Sequence, residues 1–303
     1  MARNFFSGLN PYFVPLNYNN EFSHLFHSYW VSLPTPYGPS FLPFFFLPAL
    51  VFKNSLIGAI YFYKLIVLGV FLFSLFIFKK ILIIKKLPAH LFWFYAFNPA
   101  LLLQLVIDGH NELIIITFLL LSLFYLTLEK KVWAQASLII SIFIKYTSFI
   151  LWPIMWFKYG KFSGKNFFYS NFILIASTII ILFASGLLPK QIFSNLAYLN
   201  QSCFYVCSPL MQLIDNYFIN YEFIIRFSIF FVLYLLILYV FLFRKFSREK
   251  FIFWTLVVFL FIFIRSLTPW YILLIIPFGI LANDRKYLSA SLFFSIYSLF
   301  FYP

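Results

Sequence analysis

From residue 55 onward the sequence is a train of long apolar runs, 55–78, 88–107, 110–128, 166–188, 221–243, 251–267, 269–283 and 287–302. Short clusters of lysine and arginine part most of them. Runs of this kind approach the ~20 residues that carry a helix across a ~30 Å hydrocarbon core. In lipid only helices and closed barrels satisfy their own backbone polar groups, and these runs lack the alternation of barrel strands. The expected class is therefore all-α, a polytopic helical membrane protein. With 64% hydrophobic and 10% charged residues in 303, the chain has too little polar surface for a soluble domain of its length. A single membrane domain, 1–303, is expected. It comprises an extracytoplasmic or interfacial segment at 1–54, transmembrane helices over 55–302 and a larger extracytoplasmic loop at 189–220.

The formal charge of +14 does not imply nucleic acid. Its Lys and Arg sit between apolar runs, as KKILIIKK (79–86), EKK (129–131), KYGKFSGK (158–165), RKFSREK (244–250) and DRK (284–286). That is the positive-inside pattern of a cytoplasmic-membrane protein, and it orients the chain. With 79–86 in the cytoplasm, 129–131 returns there correctly, but a single span over 132–157 would leave 158–165 outside. A hairpin of two short helices turning near Lys145-Tyr146-Thr147 removes the conflict, since irregular backbone at membrane depth is tolerated where protein or a wet cavity surrounds it. Ahead of the spans, prolines divide residues 1–38 around a short amphipathic helix at 21–33, and 40–52 reads as an interfacial helix. The N-terminal segment, 107–112, 189–220 and 268–271 then meet on the extracytoplasmic face, where the site is expected.

Polar residues at such places need a reason. Asp108, His110, Asn111 and Glu112 lie within five positions between two greasy runs. A carboxylate near a membrane boundary is costly unless it pairs, meets water or binds a ligand. Asp108 and Glu112 are four apart and would share a helix face, or Asp108 and Asn111 would simply cap the following helix. Asn98-Pro99 breaks the helix before them. Lys145 has apolar residues on both sides and either snorkels, pairs with a helix end or meets an anionic lipid phosphate. Arg265 either anchors the interface or grips a phosphate in two places. Trp270 and Tyr271 either join the aromatic belt or stack on a sugar. His24 and His27 near Glu21 could hold a divalent cation or merely decorate an interfacial helix. No other cofactor is indicated, and no four-ligand spacing suggests zinc. Cys203 and Cys207 form either a small-loop disulfide or two unpaired thiols. No signal peptide is visible.

Taken in order, GLNPY (8–12), PTPYGPSF (34–41), FNPALLLQLVIDGHNEL (97–113), IFIKYTSFILWP (144–153) and TPWYILLIIP (268–277) resemble the bacterial polyprenyl-phosphate-mannose-dependent mannosyltransferases of the GT-C fold. The resemblance covers nearly the whole chain. It implies a polyprenyl-phosphate hexose donor, most simply mannose, and an extracytoplasmic glycan or glycolipid acceptor, with membrane lipids around both. It adds Asn10, Tyr37 and Asn98 to the substrate-binding candidates, beside His110, Asn111, Lys145, Arg265, Trp270 and Tyr271, and leaves Asp108 and Glu112 as the catalytic carboxylates. In that family a first helix and a loop acid precede GxNPY, whereas seven residues precede Gly8 here. The chain is then a fragment, or its first helix is supplied separately, or catalysis has been lost. The rival readings are a flippase or transporter of polyprenol-linked sugars and a non-catalytic remnant.

Overall fold

A computed structural model describes residues 6, 8–15, 34–53, 55–158, 161–185, 222–244, 246–265 and 267–300. The segment 21–33 with His24, His27 and Glu21, the loop 189–220 and both cysteines lie outside the described residues. The described chain is helical apart from one minimal antiparallel ladder, Phe157 opposite Phe162 and Lys158 opposite Lys161. Three of its helices are long and apolar enough to cross a membrane, Leu56–Ile84, Gly164–Ser185 and Glu222–Phe243, which makes this a multi-pass membrane protein. Two shorter helices, His90–Ala96 and Leu101–Ile107, form a bent pair at 51° to each other, which is either one broken span or a re-entrant loop.

The bend falls at Asn98-Pro99, as the sequence predicts. Proline has no N–H to continue the ladder and its ring crowds the preceding turn. Asn98 uses its side chain to restart the helix, its Oδ1 accepting from the Leu101 amide at 3.1 Å. The following segment, Leu101–Ile107, is wound as a π-helix. The expected boundary at residue 78 is corrected: α2, Leu56–Ile84 counting α1 as Leu42–Val51, runs through the first lysines of KKILIIKK. Lys79 and Lys80 are exposed while Ile81 and Leu82 on the next positions are buried, so the helix keeps one face on the core as the amines reach outward.

The segment predicted as a hairpin is one. Lys131–Ile144 is α-helical, Lys145 is extended (φ −152°, ψ 123°), and Tyr146–Trp156 continues as a 3-10 helix. Ser141 Oγ and Ser148 Oγ meet at 2.8 Å across the elbow. The two outer ends of the hairpin reach the same place, because Glu129–Trp133 and Ser163, Lys165 and Asn166 line one cavity. Ion pairs gather the other basic clusters at this end. Lys85 pairs with Glu249, Arg248 lies 3.8 Å from Glu129, and Lys250 lies 3.2 Å from Asp284. Glu112–Thr127 spans the distance to the opposite end, about 24 Å at 1.5 Å per residue. One continuous hydrophobic core extends from Phe41 to Leu281, with Ile272 to Ile276 and Phe278 among its most enclosed members.

Candidate active site

At the end away from the basic clusters, the chain places a buried ion pair. Glu112 opens its helix and Lys145 stands at the hairpin elbow; Lys145 Nζ donates to Glu112 Oε1 at 2.7 Å. The two side chains are 1% and 9% exposed. The ammonium also sits 3.7 Å from the centroid of the Tyr271 ring, a cation–π contact from the far end of the sequence. In the amide orientation that satisfies both of its atoms, Asn111 donates to Glu112 Oε2 at 2.7 Å and Oε1 at 3.2 Å. Both carboxylate oxygens are thus engaged from within the protein.

Beside this pair the His110 and Trp270 rings stack, centroids 4.2 Å apart and 14° from parallel. Asp108 is exposed at the end of the π-helix, with Gly109 between it and the stack. Gly109 holds φ +79°, and its carbonyl accepts from the Tyr63 hydroxyl at 2.8 Å. An L-residue avoids that conformation, so glycine at this position is what lets the chain reverse between Asp108 and Glu112. The expectation that these two acids share a helix face is corrected by the same turn: one is exposed and the other buried. The capping alternative is also corrected for Asn111, which makes no side-chain cap bond and turns to the carboxylate instead.

The two N-terminal motifs are tied to the elbow through backbone. Asn10 Oδ1 accepts from the Tyr12 amide at 2.9 Å, closing a turn over GLNPY, and Thr35 N donates to Pro11 O at 3.0 Å. Gly38 N donates to Ile144 O at 3.0 Å, which brings PTPYGP against the residue before Lys145. A Cβ on Gly38 would lie 2.1 Å from Phe143 O, so only glycine permits this approach. Tyr37 packs on Phe41 and Phe45, whose ring stacks on Tyr63. Asn10 faces a cleft of about 670 Å³ between the N-terminal turn, Ser40, Phe46 and the end of Gly164–Ser185.

Two candidates have other partners. Asn98 is buried, and its Oδ1 also accepts from Ser295 Oγ at 2.8 Å, which makes it a structural tie to the last helix. Arg265 reaches Glu222 Oε2 at 3.3 Å, and Glu222 also pairs with Arg226 at 2.8 Å. The sequence reading did not single out Tyr63, Glu222 or Arg226. The i,i+4 spacing of an acid and a base inside an apolar run was the available signal for the last two. Nothing local marks Tyr63. Among the described residues no group of three His, Cys, Asp or Glu is placed to hold a metal ion.

Residues 2–159 match the family model described as alpha-(1->6)-mannopyranosyltransferase, N-terminal domain. No curated protein and no solved structure matches the chain.

Proposed function

Since that match spans more than half of the sequence, the chain belongs to the alpha-(1->6)-mannopyranosyltransferase family, and on that premise we propose that the Glu112–Lys145 centre holds the phosphate of a mannosyl donor. The family is one of GT-C-like membrane mannosyltransferases that take the sugar from a polyprenyl-phosphate carrier. This decides the reaction class in favour of transfer over transport.

The observation that carries the reading is the placement of Lys145. An intramembrane cation is a functional site by default, and this one sits at a break in the backbone, between two helices of the hairpin. Glu112 keeps it charged, and the Tyr271 face steadies it from a second direction. An ammonium has three donors, so with one given to Glu112 there is a donor left to meet a phosphate oxygen. The phosphate is already a competent leaving group, and what the protein must add is alignment and charge stabilisation. In a single displacement the acceptor oxygen bonds to the anomeric carbon as the carbon–phosphate-oxygen bond breaks. The acceptor proton goes to a base and the electron pair leaves on the lipid phosphate.

Glu112 is poorly suited to be that base, because both of its oxygens are occupied and it is enclosed. It acts instead as the positioning residue for Lys145. Asp108, exposed beside His110, takes the base role. The His110–Trp270 stack supplies a flat wall for the sugar. The site faces the extracytoplasmic side of the inner membrane, with the lysine-rich end in the cytoplasm, and the acceptor is a glycan or glycolipid.

The test uses the full chain in proteoliposomes with labelled polyprenyl-phosphate mannose and a short α-mannoside acceptor. Asp108→Asn should lower transfer by about 10²–10⁴-fold and leave the unfolding midpoint in place. Undiminished turnover in that variant would remove Asp108 from the chemistry.

A further inference from the structure

The end of the molecule away from Glu112 carries a second cavity, of about 740 Å³, between the turn before Lys131–Ile144 and the start of Gly164–Ser185. Three lysines line it, Lys130, Lys131 and Lys165. Its one carboxylate, Glu129, faces Arg248 at 3.8 Å and so does little to neutralise them. Neither Lys130 nor Lys165 has an ion-pair partner among the described residues. The 22-residue helix Gly164–Ser185 begins at the cavity wall, and a helix N-terminus favours an anion. Asn166 in its first turn has an enclosed Nδ2 with no hydrogen-bond partner among the described residues, a donor left over in the wall. The rest of its lining has the opposite character. Val132 and Trp133 are more than half exposed, as are Phe162 and Phe168, which flank the lining residues Ser163 to Asn166 in sequence.

We infer that this cavity is a binding site for a phosphate-bearing anion, in the form of an anionic phospholipid headgroup. The amines, the helix N-terminus and the Asn166 donor suit a phosphate, which accepts hydrogen bonds and cannot donate many. The apolar rim suits acyl chains at the level where headgroup meets hydrocarbon, with Trp133 at the interface that tryptophan prefers. A free phosphate uses the first set of groups and gains nothing from the second. Basic pockets on the cytoplasmic side of helix bundles are recognised headgroup sites on the same physical grounds. A lipid seated here would join the two outer ends of the hairpin that carries Lys145, although the proposal does not depend on the reaction assigned above.

The experiment reads the thermal unfolding midpoint of the full chain. The conditions are phosphatidylcholine nanodiscs, the same nanodiscs with added phosphatidylglycerol, and phosphatidylcholine nanodiscs with inorganic phosphate. Phosphatidylglycerol should raise the midpoint by roughly 3 °C or more, and Lys130→Gln/Lys165→Gln should abolish the rise. Lys79→Gln/Lys80→Gln, which removes the same charge from exposed positions on α2, should keep it. A rise with inorganic phosphate alone that is lost in Lys130→Gln/Lys165→Gln would support the site with a soluble ligand. Equal loss of the rise in both double variants, or no rise in any condition, would overturn it.

Discussion

Glu112 and Lys145 are 33 positions apart, and each would be expensive where it is without the other. Breaking a buried pair by removing one partner costs about 3–5 kcal/mol, whereas replacing both with apolar residues is often neutral. Lys145→Met, which strands a carboxylate 1% exposed, should therefore destabilise by roughly that amount. The double variant Glu112→Leu/Lys145→Met should recover most of the loss in a denaturation series, yet show no recovery of mannosyl transfer. Recovery of both would reduce the pair to a packing device. The residues of this site were legible in the sequence because charged groups inside apolar runs are rare and need a reason. Their partnership was not. Asp108 and Glu112 looked like the natural couple from their spacing, and the positive φ of Gly109 separates them. Arg265 looked like a phosphate ligand because Glu222, its actual neighbour, belongs to a helix 43 positions earlier.

At the level of elements, the hairpin elbow is held by contacts that polarity does not report. Counting basic clusters predicted that 132–157 turns back, since any other path puts lysines on the wrong side. The 3-10 winding of Tyr146–Trp156 and the π-helical stretch Leu101–Ile107 had no such signal, because both runs are apolar on buried and exposed positions alike and periodicity is then weak. What sets the elbow's position is the seating of the PTPYGP turn on Ile144. Gly38→Ala puts a methyl 2.1 Å from Phe143 O, a backbone atom that cannot swing aside. The variant should lose about 1–3 kcal/mol, the usual cost of overpacking. Transfer should fall with it, because Lys145 lies two residues beyond Phe143, just past the end of the displaced helix. Gly109→Ala makes a complementary case. It should cost about 1–2 kcal/mol through the left-handed backbone alone, and it should impair turnover more than Gly38→Ala because it moves Asp108 and His110 directly. The measurement is the ratio of turnover to unfolding free energy in the two variants.

Across the whole molecule, the first and last parts of the chain meet at both ends of the bundle, and the two meetings differ in kind. At the site end, Tyr271 covers Lys145 and Trp270 stacks on His110, so residues beyond the family-matched 2–159 complete the centre that begins within it. At the basic end, Lys85 at the C-terminal cap of α2 holds Glu249 at the start of Arg248–Val258. The side chains of that pair are unequally enclosed, Lys85 27% exposed and Glu249 2%. Removing the carboxylate leaves a long amine that can turn to water, whereas removing the amine leaves a buried anion with its main partner gone. Lys85→Met should therefore destabilise by about 3 kcal/mol or more, and Glu249→Gln by roughly 1 kcal/mol, near the surface-pair range. Neither residue is near the Glu112–Lys145 centre, so turnover per folded molecule should match the parent protein in both variants. Equal costs would mean that Glu249 has other donors, and reduced turnover at full folding would mean that the two ends of the bundle are coupled.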